Sequence, residues 1–384
     1  MPKKILFCAT VDYHFKAFHL PYLKWFKEQG WQVEVAAKGS MELPYVDHKY
    51  NIEIDRSPFR LANWKGYKQL KSLIEKQQYA IVHCHTPMGG MLTRMAARRG
   101  RKKGTKVLYT AHGFHFCKGG SWKSWLIYYP IEKYLARLSD SLIVINNEDY
   151  QLAVKHGFKA GEINKVNGVG VDPATFIPID QAKKAIQKKS FGFQPDDFLL
   201  FHAGEFNKNK NQQFLIHALA YLKEELPNVK LLLVGEGDQF HFCKELATKL
   251  GVEHLIQFLG FRKDVHNLLP ICDIALGSSY REGLPVSIME AMACGIPIVA
   301  TNNRGYRELI KCNENGIVLP QMDSRLLAQQ IKLLSETPAQ RQSLGENARD
   351  TILQYYSQSL VLEQLRSIYK RYMNEGEEKV WVAH

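Results

Sequence analysis

No apolar run in the 384 residues approaches the roughly 20 needed to span a bilayer, which argues against a transmembrane helix. Only a short apolar stretch precedes Asp12, with no small-residue cleavage site after it, so no signal peptide is expected. Cysteine is sparse: seven residues, an odd number, with no Cys-x-x-Cys pair. That usage points to reduced, structural thiols in a cytosolic protein rather than a disulfide framework. There is no Asp-x-Asp metal motif and no short sequence repeat. With 45% hydrophobic and 23% charged residues, the chain has enough apolar material for real cores, which excludes wholesale disorder. The length fits two domains.

Acidic residues are scarce in one half. Residues 1–180 hold 27 Lys and Arg against 15 Asp and Glu, so almost all of the net +13 lies there. The densest run contains Arg94, Arg98, Arg99, Arg101, Lys102, Lys103 and Lys106. Read as a surface, it attracts phosphates, whether of nucleic acid, anionic lipid or a charged substrate; read alone, it is a solvated helix end.

Short apolar strands alternate with helical stretches throughout. In the first half they are Lys3–Ala9, Trp31–Ala37, Tyr79–His83, Lys106–Thr110 and Ser141–Ile145. In the second they are Phe198–His202, Val229–Val234, Ile256–Phe258, Ile274–Leu276 and Ile296–Ala300. Helices are expected over 19–30, 212–226, 240–250, 265–269, 286–294 and 357–373, with a polar tail after them. Alternation of this kind is the signature of parallel sheets covered on both faces. The turn-rich Asn167–Pro173 marks a seam. The expected domains are 1–172 and 173–360, with 361–384 a helix and tail packing back on the first. The fold class is α/β, two facing Rossmann-like domains, with chemistry sought at strand C-termini in a cleft between them.

The most informative stretch is Ser278-Ser-Tyr-Arg-Glu-Gly-Leu-Pro-Val-Ser-Ile-Met-Glu290. Gly283 permits an unusual turn after a strand, and Pro285 suits a helix start. The free amides there form an anion site. Glu290 falls about 7–8 Å farther along the helix axis. Two acceptor-only carboxylates flanking an anion site suit a ligand with a phosphate and several hydroxyls. Elsewhere, Gly204-Glu-Phe-Asn-Lys-Asn-Lys-Asn211 follows a strand, as do Gly235-Glu-Gly237, Gly260-Phe-Arg262 and Asn303-Arg-Gly-Tyr-Arg-Glu308. In the first half, His83-Cys-His85, Asp12-Tyr-His14 and Thr110-Ala-His-Gly-Phe-His115 lie at strand ends. For His83 and His85 no third or fourth metal ligand is evident in the sequence, so no metal is expected.

In the context strand–Glu-Gly-Leu-Pro–helix–Cys-Gly-Ile-Pro-Ile-Val, this pattern resembles the retaining glycosyltransferases of the GT-B fold, glycosyltransferase family 4. The resemblance covers almost the whole chain and is strongest from Gly204 to Glu308. It implies that Glu282 contacts a donor sugar and Glu290 the ribose hydroxyls. Around Gly283, Leu284, Pro285 and Val286 it places the sugar-phosphate pocket, Pro285 offering no N–H. It gives Lys210, in the Gly204 loop, the donor diphosphate. Glu205 stands where the family carries an arginine, so Lys208 or Arg262 is a candidate substitute. The loop of Phe261 and Arg262 resembles the one whose backbone reads the nucleotide base, and His112 matches a histidine that reaches the donor sugar. The paired glycines of many relatives are absent beside Asp12.

The function so implied is retaining transfer from a nucleotide-sugar, a UDP-sugar first among candidates. The acceptor is a saccharide on polyprenyl diphosphate, in bacterial exopolysaccharide or surface-glycan assembly alongside other assembly proteins. No cofactor or metal is expected. The aromatic stretch Trp122-Lys-Ser-Trp-Leu-Ile-Tyr-Tyr129 is either core packing or, with the basic half, a contact with the inner face of an anionic membrane. Two alternatives stay open: a nucleotide-sugar epimerase of the same fold, and a non-enzymatic binder of lipid headgroups or nucleic acid. Against the last, no nucleic-acid-binding motif is recognisable.

Overall fold

The computed structural model describes residues 2–57 and 60–374. The chain divides into two compact units, 1–169 with 361–384, and 170–360.

The N-terminal unit is built on seven parallel strands: β1 (Lys4–Val11), β2 (Gln32–Lys38), β3 (His48–Asn51), β4 (Ile81–His85), β5 (Lys106–Ala111), β6 (Ser141–Val144) and β7 (Glu162–Lys165). Their order is β3-β2-β1-β4-β5-β6-β7. The central strands are buried on both faces, which is why they read as continuous apolar runs. The outer strands β3 and β7 have the sequences HKYN and EINK and were not expected. An edge strand is held by backbone pairing on one side and half exposed, so it needs no apolar run.

The C-terminal unit has a six-stranded parallel sheet: β8 (Phe198–Ala203), β9 (Val229–Val234), β10 (Ile256–Gly260), β11 (Ile274–Gly277), β12 (Ile298–Ala300) and β13 (Ile317–Val318), in the order β10-β9-β8-β11-β12-β13. β13 is only two residues long, too short to carry a pattern. Leu200, Leu231, Leu233, Ile274 and Leu276 pack with Ile216 and Leu219 into the core beneath it.

The last helix, Gln358–Asn374, packs on the N-terminal unit. Tyr369 is fully buried, and its hydroxyl lies 2.5 Å from His83 Nδ1. The Tyr369 ring stacks on Trp25, Tyr372 donates to the carbonyl of Asp140, and Arg371 pairs with Glu162 at 2.9 Å. The polar tail after Asn374 lies outside the described residues. Among the described residues no helix is long and apolar enough to cross a membrane.

Two expectations change. Arg94 is not part of a basic surface. Its side chain is wholly buried: the guanidinium pairs with Glu132 at 2.9 Å, donates to the Gly90 carbonyl and lies 3.7 Å over the Tyr109 ring. Arg101 donates to both oxygens of the Asp140 carboxylate, from Nη2 to Oδ1 and from Nε to Oδ2, each at 3.0 Å. The aromatic helix is Trp122–Ala136, and it is two-faced. Trp125 and Tyr129 pack inward on Phe116, while Trp122 and Leu126 are 70% and 67% exposed.

Candidate active site

The residues of the Glu-Gly-Leu-Pro stretch come together with the Gly204 loop in the C-terminal unit. β8 and β11 are adjacent and parallel, so the loops leaving their C-terminal ends meet. Lys210 Nζ lies 2.7 Å from Glu282 Oε1. Both are mostly sheltered, with side chains 23% and 14% exposed. The loops are tied by three further bonds: Ser278 Oγ donates to the Lys210 carbonyl (2.6 Å), Asn209 Nδ2 to the Arg281 carbonyl (3.0 Å), and the Tyr280 N–H to the Asn209 carbonyl (2.9 Å).

A third loop fixes Glu282 from behind. Buried Arg304 donates from Nε to the Glu282 carbonyl at 3.0 Å. Gly305 is obligatory there, since a Cβ would sit 2.7 Å from Glu282 Cβ. Asn303 caps the Arg304–Leu309 helix and donates to the Ser279 carbonyl at 2.8 Å. In sequence, Asn303–Glu308 shows only a loop after a strand; its bracing of Glu282 is not legible there because nothing local pairs residues 22 apart.

Gly283 and Leu284 lead into the Val286–Ala293 helix, whose N-cap is Pro285. Glu290 lies one turn into that helix, and burial pushes its carboxyl up to about 7. Gly204 directly follows β8, and a Cβ there would approach Lys210 Cδ to 3.2 Å. Gly235 turns with φ +135°, and its Cβ would fall 2.1 Å from the Gly204 carbonyl oxygen, so that turn is architecture under the lysine loop. Glu205 and Lys208 are exposed. Phe261 is exposed after β10, and Arg262 is held by Asp264 at 2.8 and 2.5 Å.

His112 belongs to the N-terminal unit, just after β5, and burial lowers it to about 4. It sits among His14, His19 and His85, a grouping the sequence did not disclose. All three are driven well below 6.5, by burial first and then by their histidine neighbours. Asp12 points elsewhere. Burial acts to raise its carboxyl, but Lys49, 2.5 Å away, and the Met41 N–H outweigh that and hold it below the usual range.

Residues 183–351 match the family model described as glycosyl transferases group 1, and residues 4–146 match glycosyl transferase 4-like. The chain is 49% identical, over 97% of its length and 98% of the relative's, to "Putative glycosyltransferase EpsD" of Bacillus subtilis (strain 168). The protein belongs to the group 1 glycosyl transferases. Another relative of this group 1 glycosyl transferase is the UDP-Gal:alpha-D-GlcNAc-diphosphoundecaprenol alpha-1,3-galactosyltransferase of Escherichia coli, 28% identical over 68% of each chain. Among solved structures, Anabaena HepE in complex with UDP and glucose aligns with a TM-score of 0.79 at 20% identity, covering 96% of this chain and 100% of that one. At that identity the likeness is one of fold, GT-B, over the whole group 1 chain.

Proposed function

We propose that this glycosyltransferase moves a sugar from a UDP-sugar, with retention, to a saccharide acceptor carried on polyprenyl diphosphate, in bacterial exopolysaccharide or surface-polysaccharide assembly. The observation that carries the reading is the Lys210–Glu282 pair beside the start of the Val286–Ala293 helix. An ammonium and the amides at a helix start suit a leaving diphosphate, and a carboxylate suits the hydroxyls of the sugar attached to it.

In this reading the C-terminal unit binds the donor. Diphosphate competes with Glu282 for Lys210, which frees the carboxylate for the sugar. Glu290 accepts from the ribose hydroxyls, Gly204 and Glu205 border the phosphates, and the loop of Phe261 and Arg262 meets the base. The bond from the anomeric carbon to phosphate loosens, Lys210 stabilises the charge that develops on the diphosphate, and the acceptor hydroxyl attacks on the same face. His112, in the N-terminal unit, is the residue that the family resemblance assigns to the donor sugar.

The UDP-sugar rests on the Escherichia coli relative, whose name specifies UDP-Gal, and on the UDP complex of HepE. The lipid-linked acceptor rests on the first of these, which is named for a diphosphoundecaprenol acceptor. Membrane contact at the inner leaflet rests on the outward face of the Trp122–Ala136 helix, where Trp122, Leu126, Ile127, Ile131 and Tyr134 are exposed beside Lys123.

The experiment is a panel of nucleotide-sugars scored by thermal stabilisation, then by transfer to an undecaprenyl-diphosphate saccharide with the anomeric configuration of the product read by NMR. A true donor binds only the folded state and raises the melting temperature. Stabilisation by none of the UDP-sugars, or an inverted product, overturns the corresponding part.

A further inference from the structure

We infer that the N-terminal unit carries a transition-metal site of the zinc class, made by His14, His19, His85 and His112. The inference needs nothing from the donor reading above.

Three neighbouring parallel strands deliver the ligands. β1, β4 and β5 lie side by side, so their C-terminal ends converge. His85 is the last residue of β4, His112 follows β5, and His14 and His19 lie in the helical segment after β1. One ring nitrogen from each of the four lies within 4.8 Å of one from every other. His14 Nε2 and His19 Nε2 are 3.0 Å apart, and His85 Nδ1 and His112 Nε2 are 3.3 Å apart. A tetrahedral zinc with Zn–N distances of about 2.0–2.1 Å sets its ligand nitrogens roughly 3.3–3.4 Å apart. Small ring movements bring the tetrad to that spacing.

Burial and ligand chemistry also favour a metal. His19 and His85 are 3% and 1% exposed, which shelters the nitrogens that would ligate, His19 Nε2 and His85 Nδ1, from competing water. Imidazole sets also select zinc, copper or nickel over magnesium or calcium, which take oxygen ligands.

His83 shows what a structural histidine looks like in the same place. It packs 4.1 Å from His85, centroid to centroid, but Tyr369 takes its Nδ1 and Thr110 its Nε2 at 2.8 Å. Neither nitrogen is left for a metal. Ligation by His112 through Nε2 leaves its Nδ1 for other contacts.

The test uses the untagged full chain, stripped with chelator and titrated with Co²⁺. We expect one equivalent to bind with the intense visible absorption of four-coordinate cobalt, displaced by Zn²⁺, and a raised melting temperature with Zn²⁺. His14→Ala and His112→Ala change partly exposed residues. Each should weaken binding by at least the roughly 10–100-fold that losing an outer-sphere partner alone costs. His254→Ala, at an exposed histidine of the other unit, should leave it unchanged. X-ray absorption of the zinc-loaded wild type should give four nitrogen neighbours, which decides the matter even if a variant fails to fold. No stoichiometric binding, a six-coordinate spectrum, or equal binding by His14→Ala and His112→Ala overturns the site. No stabilisation by zinc likewise overturns it.

Discussion

Lys210 Nζ and Glu282 Oε1 stand 2.7 Å apart, joining two loops 72 residues distant in sequence. Without donor, each neutralises the other. In the proposed reading a diphosphate displaces the carboxylate, which is then released toward the sugar hydroxyls. Lys210→Ala should lower kcat/KM by about 10²–10³, the loss typical of removing one donor from a developing anion. Glu282→Ala should do the same, and the double variant should lose less than the product of the two, because the partners act as a unit. Turnover near wild type in either single variant, with the fold intact by circular dichroism, counts heavily against the assignment.

Glu290 makes the stability of the C-terminal unit pH-sensitive. Burial raises its carboxyl to about 7, so the folded state holds a proton that the unfolded chain gives up near 4.5. Its stability contribution is full below about 4.5 and is lost as pH rises through about 7. Glu290→Gln should therefore melt higher than wild type at pH 8, by an amount worth about 1–3 kcal/mol, and the advantage should shrink toward pH 4.5. A pH-independent difference in melting temperature would remove burial as the cause.

The same group links donor binding to protons. In the proposed reading an ionised Glu290 accepts from two ribose hydroxyls, which a protonated carboxyl does less well. Donor affinity should rise from pH 6 to 8 in the wild type and stay level in Glu290→Gln. Calorimetry near pH 7 should show proton release, seen as a binding enthalpy that varies with the buffer's ionisation enthalpy. A buffer-independent enthalpy contradicts this.

Tyr369 and His83 hold the last helix to the N-terminal sheet. Tyr369→Phe leaves His83 Nδ1 buried without a partner, at a cost of about 1–3 kcal/mol. Hydrogen exchange should quicken in residues 361–374 and in β4, with residues 198–300 unchanged. Uniform quickening across both units would mean the contact does not belong to one unit alone.

The outward face of the Trp122–Ala136 helix should govern membrane binding. Burying a large apolar side chain fully is worth about 1.5–3 kcal/mol. Leu126→Glu with Ile127→Glu should then lower co-sedimentation with anionic phospholipid vesicles at least about tenfold, leaving thermal stabilisation by donor intact. Unchanged sedimentation would leave the basic surface, not this face, as the contact.

Local sequence determined the interior strands, the helix after Glu282 and the two-unit plan. Each depends on apolar periodicity or on the backbone needs of Gly and Pro, which a short window contains. It also determined the glutamates at the candidate site, because Glu282, Gly283, Pro285 and Glu290 lie within nine residues of one another. Only tertiary structure decided that Arg94 is buried against Glu132, that Arg304 braces Glu282, and that four histidines between positions 14 and 112 converge. Those outcomes come from which parallel strands lie side by side. Strand order is set by packing over the whole sheet, and no stretch of residues encodes it alone.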